Sequence, residues 1–244
     1  MALWNDKPQE NTRPATVGIP KTFHYIWNHS PMPDVYVDHQ RALQRLHPDW
    51  KIMTWDDEST GLWMELEERG DLKELVDLLA HAYEHSKDKR QVSDILRVGV
   101  LYRYGGVYID CDYTPLKNFE PLLEGEACVL SCETASSIIN GFIAAEPEDP
   151  FIRYLIDNMP ASYFGDGDGK SPAIMAKTGP KFTTRMYHEF LANTGTVGCR
   201  LLEKSLLHPY GYTRTDRANE DFPDSYAVHR WASVSKYAGV QPKL

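Results

Sequence analysis

In "LYRYGGVYIDCDYTPLK" (residues 101–117) a helix-like apolar and aromatic run meets two consecutive glycines, continues as four strand-forming residues, and ends in two aspartates around one cysteine. A helix that stops at glycine and passes at once into a strand is the unit from which α/β layers are built. Side chains on a strand alternate faces, so Asp110 and Asp112 share one face and Cys111 points the other way. The residues before them, "VYI", are apolar, which places the pair at the carboxyl end of a buried strand. Two carboxylates there repel each other and are poorly solvated. A divalent cation removes both penalties, and oxygen ligands with open positions suit Mg²⁺ or Mn²⁺, which take phosphate oxygens as co-ligands. A bare D-x-D is short, and the same spacing also serves a strand end that caps the turn before Pro115.

The preceding helix carries a second charged pair. Asp94 and Arg97 are three residues apart and share one helix face. As an exposed ion pair they would contribute ~0–1 kcal/mol. The rest of "ILRVGVLYRY" is apolar or aromatic on several sides, so this helix is expected to be buried and the pair to face a cleft. The Gly105-Gly106 turn would bring that cleft against the strand that carries the aspartates.

Along the rest of the chain, "TFHYIW" (22–27) and "WKIMTW" (50–55) read as strands, and "VYVDHQRALQRLHP" reads as a helix ended by Pro48. "MELEERGDLKELVDLLAHAYEHSKDKR" is mostly helical with a break at Gly70, and "VSDILRVGVLYRYGG" (92–106) is a helix with a glycine stop. "ACVLSCE" (127–133), "GFIAAEP" (141–147), "CRLLE" and "YAVHRW" read as later strands. "DPFIRYLIDNM" and "KFTTRMYHEFLAN" read as helices around a Gly-rich loop, "YFGDGDGKSPAIMAKTGP" (163–180). Strands alternating with helices predict an α/β layer with a mostly parallel sheet, and ligands in such sheets sit at the carboxyl ends of the strands. Residues 1–17 are polar and read as a flexible tail, and 18–244 as a single domain.

Twenty-six basic and 35 acidic side chains give a net charge of −9, which argues against non-specific binding to nucleic acid or to an anionic membrane surface. The four cysteines, at 111, 128, 132 and 199, do not form a disulfide framework in a chain of this length, and a reduced state is expected. The first residues lack the apolar core of a signal peptide, and no run reaches the ~20 apolar residues that cross a bilayer. The expected setting is cytoplasmic.

"SDILRVGVLYRYGGVYIDCDYTPLK" resembles the signature of the DXD-containing sugar transferases of glycosyltransferase family 32, which include the yeast initiating mannosyltransferases and bacterial capsule enzymes. It is also similar to the glucosyltransferase domains of the large clostridial toxins. "IPKTFHYIWNHSPMP" (19–33), "HPDWKIMTWDDE" (47–58), "NGFIAAEPEDPFI" (140–152), "KTGP" (177–180) and "YAVHRW" (226–231) resemble further landmarks in the same order. The resemblance implies a GT-A fold, Rossmann-like, with a mostly parallel mixed central sheet flanked by helices. It implies a metal-dependent transferase with Mn²⁺ or Mg²⁺ as cofactor, a nucleotide-diphosphate sugar as donor, and retention at the anomeric carbon; the acceptor is left open among a glycan, a lipid, a protein and a modified nucleic-acid base.

Carried over by matched positions, Asp112 would bind the metal directly. Asp110 would act through water and contact the ribose or sugar, and Asp94 and Arg97 would hold the donor sugar beside Tyr108. Trp27, with Ile26 before it, would meet the nucleotide, the indole stacking on the base. His229 would be a third metal or diphosphate contact. The family closes with Ser-Trp after that histidine, whereas here Ser235 is followed by Lys236.

Two other patterns compete. "HAYEH" (81–85) fits the inverted zinc-protease spacing, with His81 and His85 on one helix face, but offers no third ligand in a recognisable setting. "DGDGK" (166–170) resembles the start of a calcium loop but lacks its closing glutamate, and reads better as a lid. The remaining histidines, 24, 29, 39, 47, 188 and 208, show no ligand spacing. At the level of function, the alternatives are a metal-dependent phosphohydrolase or pyrophosphatase, which would want more acidic ligands, and a non-catalytic sugar-binding relative.

Overall fold

A computed structural model describes residues 18–27, 31–56, 66, 68, 70–134, 136–167 and 173–232. The tail 1–17, His29, most of "DGDGK", and Ser235 with Lys236 lie outside the described residues.

Strand β1 (Thr22–Trp27) is followed by helix α1 (Asp34–Leu46) and β2 (Lys51–Asp56). A single 3₁₀ turn at Gly70–Leu72 leads into α2 (Lys73–His85), then α3 (Arg90–Tyr104), β3 (Gly106–Ile109) and β4 (Tyr113–Pro115). Next come the short α4 (Glu120–Leu123), β5 (Cys128–Thr134), β6 (Ser137–Ala145) and α5 (Pro150–Phe164). Then follow α6 (Ala173–Lys177), α7 (Pro180–Thr194), β7 (Cys199–Leu202), α8 (Lys204–Leu207) and β8 (Ala227–His229).

Six strands form one sheet in the order β2-β1-β3-β6-β5-β7, and β4 pairs with β8 in a separate two-stranded sheet. The β1–β2, β1–β3 and β5–β7 pairs are parallel, and β3–β6 and β5–β6 are antiparallel. The sheet is therefore mixed. Its parallel half, β2-β1-β3, ends at Trp27 and the aspartate pair.

The period-two alternation of the strands sorts the core into two layers. Tyr108, Leu130 and Ile143 pack with α2, α3, α5 and α7 on one face. Val107, Ile109, Val129, Phe142 and Ala144 pack with α1 and α4 on the other.

Helix α3 stops as its glycines predict. Gly105 adopts φ 61° and Gly106 φ 93°, a region that side chains avoid. A Cβ on Gly105 would lie 2.6 Å from Pro147 Cδ, and one on Gly106 would lie 2.6 Å from the Thr22 carbonyl oxygen. The turn is thus wedged between β1 and the segment before α5. Asp149 starts α5 by accepting from the Phe151 and Ile152 amides, with Pro150 at the first helical position.

Two expectations are corrected. Cys128 and Cys199 form a disulfide between directly opposed residues of β5 and β7, so the four cysteines are not all reduced. Cys111 and Cys132 are free and buried. A pairing across a parallel ladder joins residues 71 apart, which spacing alone does not disclose. The segment 163–180 is also not one loop. Helix α5 continues through Pro160 to Phe164, and α6 forms within it.

Candidate functional site

Asp110 follows β3 directly, and its amide donates to the Gly141 carbonyl at 2.8 Å, extending the β3–β6 ladder by one residue. Its side chain is one-third exposed. The Tyr108 hydroxyl donates to Asp110 Oδ1 at 2.5 Å. Gly141 leaves the room this carboxylate occupies, because a Cβ there would lie 2.6 Å from Asp110 Oδ2 and 3.2 Å from the Tyr113 hydroxyl.

Asp112 is fixed by the small sheet. His229, opposite Tyr113 in the β4–β8 pair, places Nε2 3.1 Å from Asp112 Oδ1. The Ala232 amide donates to Asp112 Oδ2 at 2.8 Å, and the Arg230 amide to the Asp112 carbonyl at 2.9 Å. Trp231, between them, adopts φ 55°, an outlier for a bulky side chain and a form of strain that collects at functional sites. The His229 imidazole lies flat on the Tyr113 ring, with centroids 4.3 Å apart and planes 2° apart. Burial alone would raise the Asp112 pKa, but the His229 charge and hydrogen bond with the Ala232 amide outweigh it and hold the carboxyl below its usual range. For His229 burial acts downward, and the charges of Asp112 and Asp110 with the Asp112 hydrogen bond push it above the usual imidazole value.

Asp110, Asp112 and His229 each offer a ligand atom within 4.8 Å of the others. Two carboxylates and an imidazole at a strand end form a donor set that fits Mn²⁺. Among the described residues, the other group of three at this spacing is Cys128, Asp149 and Cys199, whose sulfurs are joined and whose carboxylate caps α5.

The Asp94–Arg97 pair is buried, each residue 5% exposed, which removes the exposed-pair alternative. Arg97 Nη2 lies 2.9 Å from Asp94 Oδ1 and 3.7 Å from Asp110 Oδ1. Arg97 Nη1 donates to the Asn140 carbonyl at 2.6 Å, and the guanidinium stacks 4.3 Å from the Tyr108 ring centroid. Asp94 accepts from Asn140 Nδ2 at 2.9 Å and from Thr178 Oγ1 at 2.8 Å. Burial raises the Asp94 pKa despite Arg97, Thr178 and Asn140, which each lower it. A carboxylate has about four lone-pair sites. Three are occupied by Arg97, Asn140 and Thr178.

The expected residues therefore converge unevenly. Asp94, Arg97, Tyr108 and Asp110 form one connected network, and Asp112 with His229 continues it. Trp27 is half-buried at the end of β1, its ring 5.3 Å from Tyr36. Ile26 is buried in the core, and its carbonyl faces the Cys111 thiol. Asn140, Gly141 and Thr178 fall in the quoted "NGF" and "KTGP" segments, yet sequence reading gave them no role. A polar residue beside a glycine in an apolar strand was the available signal.

His81 and His85 of the competing zinc pattern have ring centroids 4.6 Å apart, and His81 packs against Tyr163 and Phe164. The buried histidines 24, 39 and 47 bond to backbone or to neighbouring side chains in the core.

Residues 33–129 match the family described as "Glycosyltransferase sugar-binding region containing DXD motif". Inositol phosphoceramide mannosyltransferase 1 of Schizosaccharomyces pombe is 27% identical over 179 residues, 71% of this chain and 52% of that protein. The UDP-bound glycosyltransferase domain of the YGT toxin superposes with a TM-score of 0.62 at 12% identity, covering 76% of this chain and 80% of that one. The PaToxG glycosyltransferase gives 0.58 at 22% identity, covering 74% and 73%.

At these identities the structural likeness concerns the fold, which is GT-A-like. What the chain shares with the DXD-containing glycosyltransferases is the sugar-binding segment at residues 33–129 and the GT-A-like fold. It spans about half the length of the curated relatives it matches.

Proposed function

We propose that this chain transfers a sugar from a nucleotide-diphosphate sugar to an acceptor hydroxyl, in a divalent-cation-dependent reaction that retains anomeric configuration. The observation that carries this reading is the continuity of Asp112 and His229 with Asp110, and of Asp110 with the buried Arg97 and Asp94. One end of that network suits a diphosphate and the other a sugar. Asp110, Asp112 and His229 would hold a cation such as Mn²⁺, which supplies charge neutralisation for a diphosphate leaving group. Asp94 would accept a hydroxyl of the donor sugar at its remaining site. Arg97, locked by Asp94, the Asn140 carbonyl and the Tyr108 ring, presents fixed positive charge beside Asp110 without reorganising. Positioning of this kind supplies a large part of the rate in a group transfer. Trp27 offers an aromatic face for a base at the end of the parallel half of the sheet. No carboxylate nucleophile is identified by the motifs, which favours front-face attack by the acceptor.

The rival phosphohydrolase reading would want more carboxylates around the cation than this trio supplies. Incubation with a panel of UDP- and GDP-sugars and Mn²⁺ separates the readings. Release of nucleoside diphosphate supports transfer or donor hydrolysis. Release of monophosphate supports a pyrophosphatase, and an absence of turnover with every donor supports a binding protein. Proton NMR of the product reads the anomeric configuration, and an inverted linkage would remove the retaining mechanism.

A further inference from the structure

A chain of rings leads outward from the candidate metal centre to the surface. The His229 ring lies 4.1 Å from the Trp231 ring, and Trp231 meets Tyr212 at 6.0 Å in an edge-on arrangement. Tyr212 is 54% exposed. The other exposed large apolar or aromatic side chains among the described residues are Tyr83, Leu116, Phe164 and Leu191, and Tyr212 is the one in ring contact with Trp231.

The turn that presents Tyr212 is anchored on both sides. Before it, the buried Tyr210 accepts from Trp231 Nε1 through its carbonyl at 3.1 Å. Gly211 lies so close to the Glu133–Lys204 ion pair that a Cβ would come within 2.8 Å of Glu133 Oε1. After it, the Arg214 amide donates back to the Gly211 carbonyl at 2.8 Å. An aromatic ring held half in water on a fixed turn, one ring removed from His229 of the candidate metal centre, is pre-organised to meet a ligand.

Three chemically different groups of side chains connect to the candidate centre. Trp27 and Tyr36 lie on one flank of Asp112, where an apolar base would stack. The hydrogen-bonding wall of Asp94, Arg97 and Asn140 suits sugar hydroxyls. Tyr212 is reached from Asp112 through His229 and Trp231, in a part of the chain that the six-stranded sheet does not contain. Its exposed π-face suits the C–H face of a saturated ring rather than a charged diphosphate.

We propose that Tyr212, backed by Trp231, is the platform of the acceptor subsite, and that it takes a polyhydroxylated saturated ring, a pyranoside or a cyclitol. The proposal rests on the transferase reading above for the word acceptor. The binding itself is testable without turnover.

Saturation-transfer NMR on the whole chain with UDP and Mn²⁺ would use methyl α-D-glucopyranoside, methyl α-D-mannopyranoside and myo-inositol as probes. At least one should show ring-proton saturation with wild type. Tyr212→Ala should weaken that binding about tenfold, the worth of a lost aromatic contact, and Tyr212→Phe should keep it. Calorimetric affinity for UDP with Mn²⁺ should be unchanged in both variants. Three results overturn the proposal: no saturation of any probe with wild type, undiminished saturation with Tyr212→Ala, or a loss of UDP affinity in Tyr212→Ala, which would put the ring on the donor side. Donor turnover by wild type is measured in parallel. Its failure would sink the transferase reading and leave the ring-binding result to be judged separately.

Discussion

Thr178, in the turn between α6 and α7, donates its hydroxyl to Asp94 Oδ2 at 2.8 Å, across 84 residues of sequence. The contact ties the end of the Gly-rich region to the carboxylate that locks Arg97. Thr178→Val should leave a buried carboxylate oxygen short of a partner and cost ~1–3 kcal/mol of stability. The transfer rate should fall while calorimetric affinity for the nucleoside diphosphate stays at the wild-type value, and Thr178→Ser should restore turnover. A Thr178→Val protein as active as wild type would mean that this hydroxyl serves packing alone.

Gly141 makes a sharper case because space, rather than backbone conformation, demands it. A methyl group there would overlap Asp110 Oδ2 at 2.6 Å. Gly141→Ala is expected to fold, judged by far-UV circular dichroism, and to lose most Mn²⁺-dependent binding of the nucleoside diphosphate that wild type takes. Calorimetry in Mn²⁺ and in excess chelator provides the comparison. If the variant binds as wild type does in both, Asp110 is not a metal or diphosphate group.

Asp94 and Asp112 should fail differently. Asp94→Asn keeps the shape of the side chain and spares Arg97 a fully unpartnered burial, a situation that costs ~3–5 kcal/mol when one member of a buried pair is removed. It should retain Mn²⁺-dependent diphosphate binding and lose turnover by a large factor, since a misplaced sugar forfeits orientation. Asp112→Ala should lose both. Equal behaviour of the two variants would contradict the division of the network into a sugar end and a diphosphate end.

His24 gives a pH dependence that is independent of the site. Its Nε2 lies 2.9 Å from the Gly105 carbonyl oxygen, and its Nδ1 accepts from Trp55 Nε1 at 3.1 Å, so the neutral ring satisfies both partners. Burial pushes the pKa down to about 4, against a smaller upward pull from the Gly105 carbonyl. The unfolded chain titrates near the ordinary value of about 6.5 and therefore binds the proton first on acidification. The contribution is complete above that value and is lost as the pH falls through the folded value, up to about 3 kcal/mol. Urea midpoints between pH 7.5 and 4.5 should fall more steeply for wild type than for His24→Gln, and equal slopes would reject the assignment.

The Cys128–Cys199 bond closes a 71-residue separation, and chain-entropy reasoning assigns such a closure about 4 kcal/mol. Reduction with dithiothreitol should lower the thermal midpoint of wild type and leave a Cys128→Ala/Cys199→Ala protein unaffected. A wild-type midpoint that does not respond to reductant would show that the bond does not form in solution.

Much of this arrangement is legible in the sequence, for identifiable reasons. Alternation in "VYID" and the double glycine before it located the aspartates, because both signals are local. The spacing of Asp94 and Arg97 put them on one helix face for the same reason. Their burial required the neighbours that no window contains, Asn140 on β6 and Thr178 before α7. The disulfide escaped because strand neighbours in a parallel ladder are remote in sequence. The helix inside 163–180 is masked by its Gly-rich surroundings, which read as loop, although "PAIMAK" carries adequate helix formers between the glycines.

The small β4–β8 sheet has a further consequence. One partner of Asp112 is the amide of Ala232, 120 residues downstream, and His229 is scarcely nearer. Three of the six strands of the main sheet lie between the two halves of the cluster in sequence, so a growing polypeptide cannot assemble it until β8 has emerged and docked. Cation affinity is therefore a late reporter of maturation. In a refolding time course, fluorescence from the core should recover before Mn²⁺ capture does, and the lag between them would measure the closing of this clasp.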